Sequence, residues 1–249
     1  MALTEDEIDL YSRQILVPAM GGRGQDLLAA SSVQIIGAGA APAFAASYLA
    51  GAGVGRIVWV SSDGVSPETA LAPLDQRRPD TSRVERVGAA ATGLRFDLII
   101  TASEPSARVG IRAAAALAPT APPQPDTERG RGGAPALVGE IGLLRGDPTG
   151  LLLVPARSGL CLACLDWPDD VSESARTKPR TAAQRALEDP LVGAMAALTA
   201  LVWLARLGPA DEGDQARALL LENEEWRSAV PRRHSGPCPR CASRAVEPK

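Results

Sequence analysis

Histidine is almost absent from these 249 residues, with His234 standing alone, and lysine occurs only at Lys178 and Lys249. Arginine therefore carries nearly all of the positive charge, and general acid–base chemistry by imidazole or ammonium has few carriers. A formal net charge of −3 removes any bulk attraction to nucleic acid or to an anionic membrane, so neither is expected as a partner. The opening "MALTEDEIDLYSRQ" holds early acids and no apolar run, which excludes a secretory signal there and makes the cytoplasm the expected location. The longest apolar helix pattern is "LVGAMAALTALVWLARLG", residues 191–208; it contains Arg206 and falls short of the ~20 apolar residues of a membrane span, so a buried helix is expected. No internal repeat of useful period is present. Length permits one sizeable core, and residues 1–249 read as a single domain.

What is present follows an α/β order. Residues 1–30 read as a separate N-terminal helical arm, entered from Thr4 as N-cap with Glu7 three residues later. Within 31–117, "SVQII", "APAFAASYLAGAG" and "RIVWV" alternate as strand, helix and strand, with Pro42 tolerated in a first helical turn, and "FDLIITA" adds another buried strand. Residues 118–135 are too rich in Pro and Gly to pack and read as a mobile surface loop. In 136–249 the texture changes: two apolar runs around "RGDPTG" predict an antiparallel hairpin. The expected architecture is a Rossmann-like, mainly parallel sheet with an antiparallel second half and a structural four-cysteine zinc site.

That zinc site rests on "CLAC" and "CPRC", which use every cysteine of the chain: Cys161, Cys164, Cys238 and Cys241. Two tight CxxC turns suit one tetrahedral Zn²⁺, and a closed four-thiolate shell leaves no position for water, so the role is structural. Disulfides and buried thiols are the competing readings. His234, beside the second knuckle, reads as a surface residue. Trp59 and Trp203 read as core or dimer interface, and Trp226 as part of a late strand or its edge.

A glycine turn follows the first strand. Gly37 and Gly39 free the backbone to bring a phosphate to a helix N-terminus, where the N–H groups and the dipole favour anions. Pro42 takes the place of the third glycine and supplies no donor. Ser61 stands where a dinucleotide oxidoreductase would place a ribose-binding acid, with Asp63 two residues on. A ligand-free βαβ unit, or an NAD- or FAD-binding oxidoreductase, remains compatible with these residues.

The stretch "YSRQILVPAMGGRGQDLLAASSVQIIGAGAAPAFAASYLAGAGVGRIVWV" resembles the opening of the ThiF/MoeB/HesA family, bacterial relatives of ubiquitin-activating enzymes. "APALVGEIGLLRGDPTGLLLV", the first CxxC, "DPLVGAMAALTALVWLARLG" and the terminal CxxC resemble that family's second half. The resemblance implies a dimer, a frequent structural zinc, and Mg-ATP-dependent adenylation of the C-terminal carboxylate of a small ubiquitin-like or sulfur-carrier protein. It implies Gly37, Gly39 and Asp63 as nucleotide contacts, and Arg13 as the arm residue reaching the partner subunit's ATP site. Here the departures accumulate. The ribose-binding Asp falls on Ser61, the phosphate Asn and Arg on Thr69 and Ala72, the phosphate Lys on Arg83, and the Mg-binding Asp on Glu104. In this shortened stretch, Arg77 or Arg78 is the alternative source of the missing arginine. No cysteine lies in the segment matching the loop that often holds the acceptor thiol. One lost charge contact to a transition state costs about 3–4 kcal/mol, so two leave little turnover. The expected function is therefore a catalytically degenerate scaffold, a homodimer or the partner of a related subunit, that binds a protein or peptide. An active adenylyltransferase using Arg13, Arg83 and Glu104 is the alternative, and the oxidoreductase is a third reading.

Overall fold

The computed structural model describes residues 3–60, 83–86, 96–102, 139–144, 149–158, 160–166, 181–207, 215–222 and 225–233. The expected loop at 118–135 lies outside them.

The chain enters helix α1, Glu5–Ile15, through the capping box read from sequence. The Glu7 carboxylate accepts the Thr4 backbone N–H at 2.8 Å, and Thr4 Oγ1 accepts the Glu7 N–H at 3.3 Å. These bonds satisfy donors that a helix start otherwise leaves open. Helix α2, Gly21–Ala29, follows. The two helices are docked on the body of the protein: Tyr11 is 3 % exposed, and Leu28 and Gln25 are fully buried. Their seat is Gly53, whose φ of +87° suits glycine, and where a Cβ would come within 2.6 Å of Gln25 Nε2 and 2.7 Å of Tyr11 Cζ. Gln25 Nε2 also donates to the Ala52 carbonyl at 3.0 Å. Three residues of the quoted family-like stretch thus form a packing latch between the helices and the turn after α3, Ala40–Gly51.

Strands β1 (Ser32–Ile36) and β2 (Arg56–Val60) flank α3 in the expected βαβ unit. Further strands are β3 (Arg83–Arg86), β4 (Leu98–Ala102), β5 (Gly139–Leu144), β6 (Thr149–Pro155), β7 (Leu165–Asp166), β8 (Arg217–Glu222), β9 (Glu225–Ala229) and β10 (Arg232–Arg233). Eight form one sheet in the order β3-β2-β1-β4-β5-β6-β8-β9. It is parallel from β3 through β5 and antiparallel from β5 through β9. The hairpin expected around "RGDPTG" is the β5–β6 pair, and Trp226 lies on the terminal strand β9.

Helix α4, Ala182–Leu204, begins earlier than the apolar pattern at 191–208 suggested, and Arg206 lies beyond its end with φ +56°. A second capping box, Thr181 with Gln184, starts the helix, and Pro190 sits inside it. Proline removes a helix bond at a cost of about 3 kcal/mol, which makes it read locally as a stop. Val192, Ala196, Ala200 and Leu204, buried against the sheet and α3, offset that cost. By length and apolarity α4 could cross a bilayer, yet here one face of it belongs to the core. On that side of the sheet Val33, Ile35, Ile57, Trp59, Leu98 and Ile100 form the main cluster with α3 and α4. A second cluster, with Leu152, Val154, Leu162, Leu165, Ala218 and Leu220, encloses Cys161 and Cys164.

Candidate functional site

The glycine turn stands at the C-terminal end of β1, between β2 and β4, the place where strand order reverses and open α/β sheets bind ligands. Gly37 has φ +121°, and its N–H donates to the Val60 carbonyl at 2.9 Å. A Cβ at Gly37 would lie 2.7 Å from the Ala102 carbonyl oxygen, so only glycine lets β1 pass β4 in this form. Gly39, with φ +94°, is the N-cap of α3 and provides no side-chain cap. The helix start therefore presents backbone N–H groups, apart from Pro42, to whatever lies before it. Trp59 fastens this turn from below: its indole Nε1 donates to the Gly37 carbonyl at 2.9 Å. The residue was expected in the core; its clamp on the turn was signalled only by the rule that a buried indole N–H finds an acceptor.

Two further residues, on the strands that lead to the turn, escaped sequence reasoning. Gln34 on β1 and Thr101 on β4 are fully buried, and neither the Gln34 amide nor the Thr101 hydroxyl meets a hydrogen-bond partner among the described residues. Strand register places Gln34 level with Ile99 and Ile36 level with Thr101, so the two are diagonal neighbours on one face. Alternation puts that face opposite Val33 and Ile35, away from α3 and α4. An apolar residue at 34 would have fitted the strand pattern equally well, and glutamine there carried no distinguishing signal.

Among the expected nucleotide residues, Gly37 and Gly39 make the turn, and Arg13 is exposed in the last turn of α1. Ser61, Asp63, Thr69, Ala72, Arg77, Arg78 and Glu104 lie outside the described residues, as does His234. Arg83 opens β3 level with Arg56, the first residue of β2. The turn lies at the other end of these parallel strands, four residues or about 13 Å away along β2. Level with Trp59, near the turn, stands Arg86. Nothing local marks "RVER" as a strand, and the resemblance alone matches Arg83 to the family's phosphate lysine.

On the face of the sheet that carries Gln34 and Glu140, both level with Ile99, Cys161 and Cys164 are buried with their Sγ atoms 3.6 Å apart, well beyond a disulfide bond of about 2.05 Å. A tetrahedral shell with metal–sulfur bonds of about 2.3 Å spaces its sulfurs by about 3.8 Å, so this pair fits one edge of a zinc site. The Cys164 N–H donates to the Cys161 carbonyl at 2.9 Å and closes the turn, while the Leu162 N–H donates to Glu140 Oε2 at 2.8 Å. Cys238 and Cys241 lie outside the described residues; among the described ones no group of three metal-ligating side chains occurs. The β7–β10 pairing nevertheless brings Arg232 and Arg233 beside Asp166 and Leu165, so the chain leading to the second knuckle starts next to the first.

The ThiF family model matches residues 11–69, the stretch that holds both the latch and the glycine turn. The sulfur carrier protein ThiS adenylyltransferase of Escherichia coli is 30 % identical over 96 % of this chain and 96 % of its own. Mouse adenylyltransferase and sulfurtransferase MOCS3 is 52 % identical over 26 % of this chain, a match spanning only 14 % of that longer protein. Among solved structures, E. coli MccB with ATP superposes with a TM-score of 0.62 at 15 % identity, covering 96 % of this chain and 75 % of MccB. PaaA gives 0.55 at 17 % identity over 93 % of this chain and 76 % of its own. These structural likenesses concern the fold.

Proposed function

The chain belongs to the ThiF family, and from that premise we propose that it is a catalytically degenerate member, a dimeric scaffold for a protein or peptide partner. One observation carries the reading: the phosphate cradle keeps its backbone while Arg83, the residue matched to the phosphate lysine, begins its strand at the far end of the sheet. Attack of a carboxylate on an α-phosphate brings two anions together and needs positive charge fixed around them. The changes to Thr69 and Ala72 withdraw further contacts of that kind. If Mg-ATP binds, the Gly37–Gly39 turn and the start of α3 would receive the phosphates, with Asp63 and Glu104 left for the ribose and the metal. For dimerisation, α4 offers exposed Leu187, Leu191 and Leu198 along one face, and α3 offers Phe44 and Tyr48. These apolar groups suit a second copy of the chain or a related subunit. Cys161, Cys164, Cys238 and Cys241 would hold one Zn²⁺, which supplies a structural cross-link and no open position for chemistry.

A second reading, an active adenylyltransferase, is favoured by the intact Gly37–Gly39 backbone and by likeness along the whole chain to an enzyme whose name states that activity. The test is ATP–pyrophosphate exchange with carboxylate-ended peptides and ubiquitin-like proteins, alongside calorimetry with Mg-ATP. No exchange and weak or absent ATP binding are expected. Exchange above background would refute the scaffold proposal and establish the second reading.

A further inference from the structure

We infer that Glu140 is a positioning residue that holds the Cys161–Cys164 knuckle in its metal-ligating shape. Glu140 lies within β5, level with Ile99 on β4 and Val154 on β6, and is only 2 % exposed. Its neighbours Ile141 and Leu143 turn to the main core, so Glu140 occupies a place on the opposite face where Leu152 and Val154 would lead one to expect another apolar side chain. A carboxyl group enclosed there is costly unless hydrogen-bonded. One bond it makes runs to the knuckle itself, across 22 positions of sequence, from the Leu162 N–H at 2.8 Å.

Leu162 is the first residue of a single 3₁₀ turn, Leu162–Cys164, with Cys161 as its N-cap. First-turn N–H groups have no partner within their own helix, and an N-cap side chain ordinarily supplies one. Cys161 makes no such side-chain bond. Glu140 takes the Leu162 N–H in its place, which leaves the Cys161 thiol beside that of Cys164 at 3.6 Å. The carboxyl group thus caps the turn from the sheet, a task the Cys161 side chain does not perform.

This inference rests on the zinc reading, and its test separates the two. Zinc affinity is measured by competition with a chromophoric chelator for the wild type, Glu140→Gln, Glu140→Asp, Glu140→Ala and Val154→Ala. Alkylation rates of Cys161 and Cys164 in metal-free protein are then mapped by mass spectrometry. Glu140→Ala is expected to weaken zinc binding by about 10- to 100-fold and to speed alkylation of both thiols several-fold. Glu140→Gln keeps an acceptor oxygen and should stay within about threefold of the wild type, whereas Glu140→Asp, one methylene shorter, should follow alanine. The aspartate variant carries the test if the alanine variant does not fold. Val154→Ala loosens the same cluster without touching the bond, and should lose thermal stability but keep its zinc. Wild-type affinity in Glu140→Ala and Glu140→Asp, or an equal loss in Val154→Ala, overturns the role of Glu140. If the wild type itself binds no zinc, the clamp fails and alkylation decides: faster reaction in Glu140→Ala or Glu140→Asp alone upholds the positioning role, and equal rates overturn it.

Discussion

In the parallel half of the sheet, Gln34 and Thr101 are buried on the strands that lead to the glycine turn, with no hydrogen-bond partner among the described residues. In the antiparallel half, Glu140 and Thr149 are as deeply buried, yet each is engaged, Glu140 by Leu162 and Thr149 by Glu188 at 2.9 Å. An unsatisfied buried polar group costs about 1–3 kcal/mol, so the first half carries a penalty that the second avoids. Sites shaped for ligands often retain such penalties, although Gln25 Oε1 in the packing latch carries one as well. Gln34 and Glu140 stand in one row of the sheet, each level with Ile99, so within two strands the same face holds one buried polar group without a partner among the described residues and one that caps the knuckle.

Three variants, one of them double, test this contrast. The largest effect is expected from Cys161→Ser with Cys164→Ser, which should abolish zinc binding and destabilise the antiparallel half by on the order of 5 kcal/mol or more, read as metal content and calorimetric Tm. Retention of both would show that the knuckle end is stable without metal. Next comes Gly53→Val, which combines a positive φ with a side chain driven into Tyr11 and Gln25. A loss of about 3 kcal/mol in urea unfolding is expected; a change below about 1 kcal/mol would show that the latch yields. The smallest effect has the opposite sign: Gln34→Leu should stabilise the protein by about 1–2 kcal/mol, because it removes a buried amide that no protein group satisfies. Destabilisation would mean that Gln34 is satisfied, and the contrast between the halves would fall.

Local chemistry was legible over short reach. Thr4 and Glu7 announced α1, the β-branched runs "SVQII" and "RIVWV" around an alanine-rich helix announced the βαβ unit, and two apolar runs flanking "RGDPTG" announced the β5–β6 hairpin. The candidate site was less legible. Gly37 and Gly39 declared the turn, but Trp59 as its clamp depends on β2 lying level with β1, a pairing between residues far apart in sequence. Pro190 hid the true start of α4, because its local penalty is visible and the compensating burial is not. The strand that Arg83 opens was not legible, because its four residues, "RVER", carry no apolar alternation.

Legible in the sequence alone were the class of fold, the ThiF-like opening, the glycine turn and the spacing of the cysteines as two CxxC pairs. Each of these is written in spacings of a few residues, where backbone geometry alone restricts what can follow. Only the tertiary structure decided that Tyr11, Gln25 and Gly53 form a latch, that Arg83 stands at the end of the sheet away from the turn, and that Glu140 reaches the knuckle. Those are matters of register and of which face a side chain takes, and they are settled when the whole sheet packs, since shifting a strand by one residue exchanges its two faces.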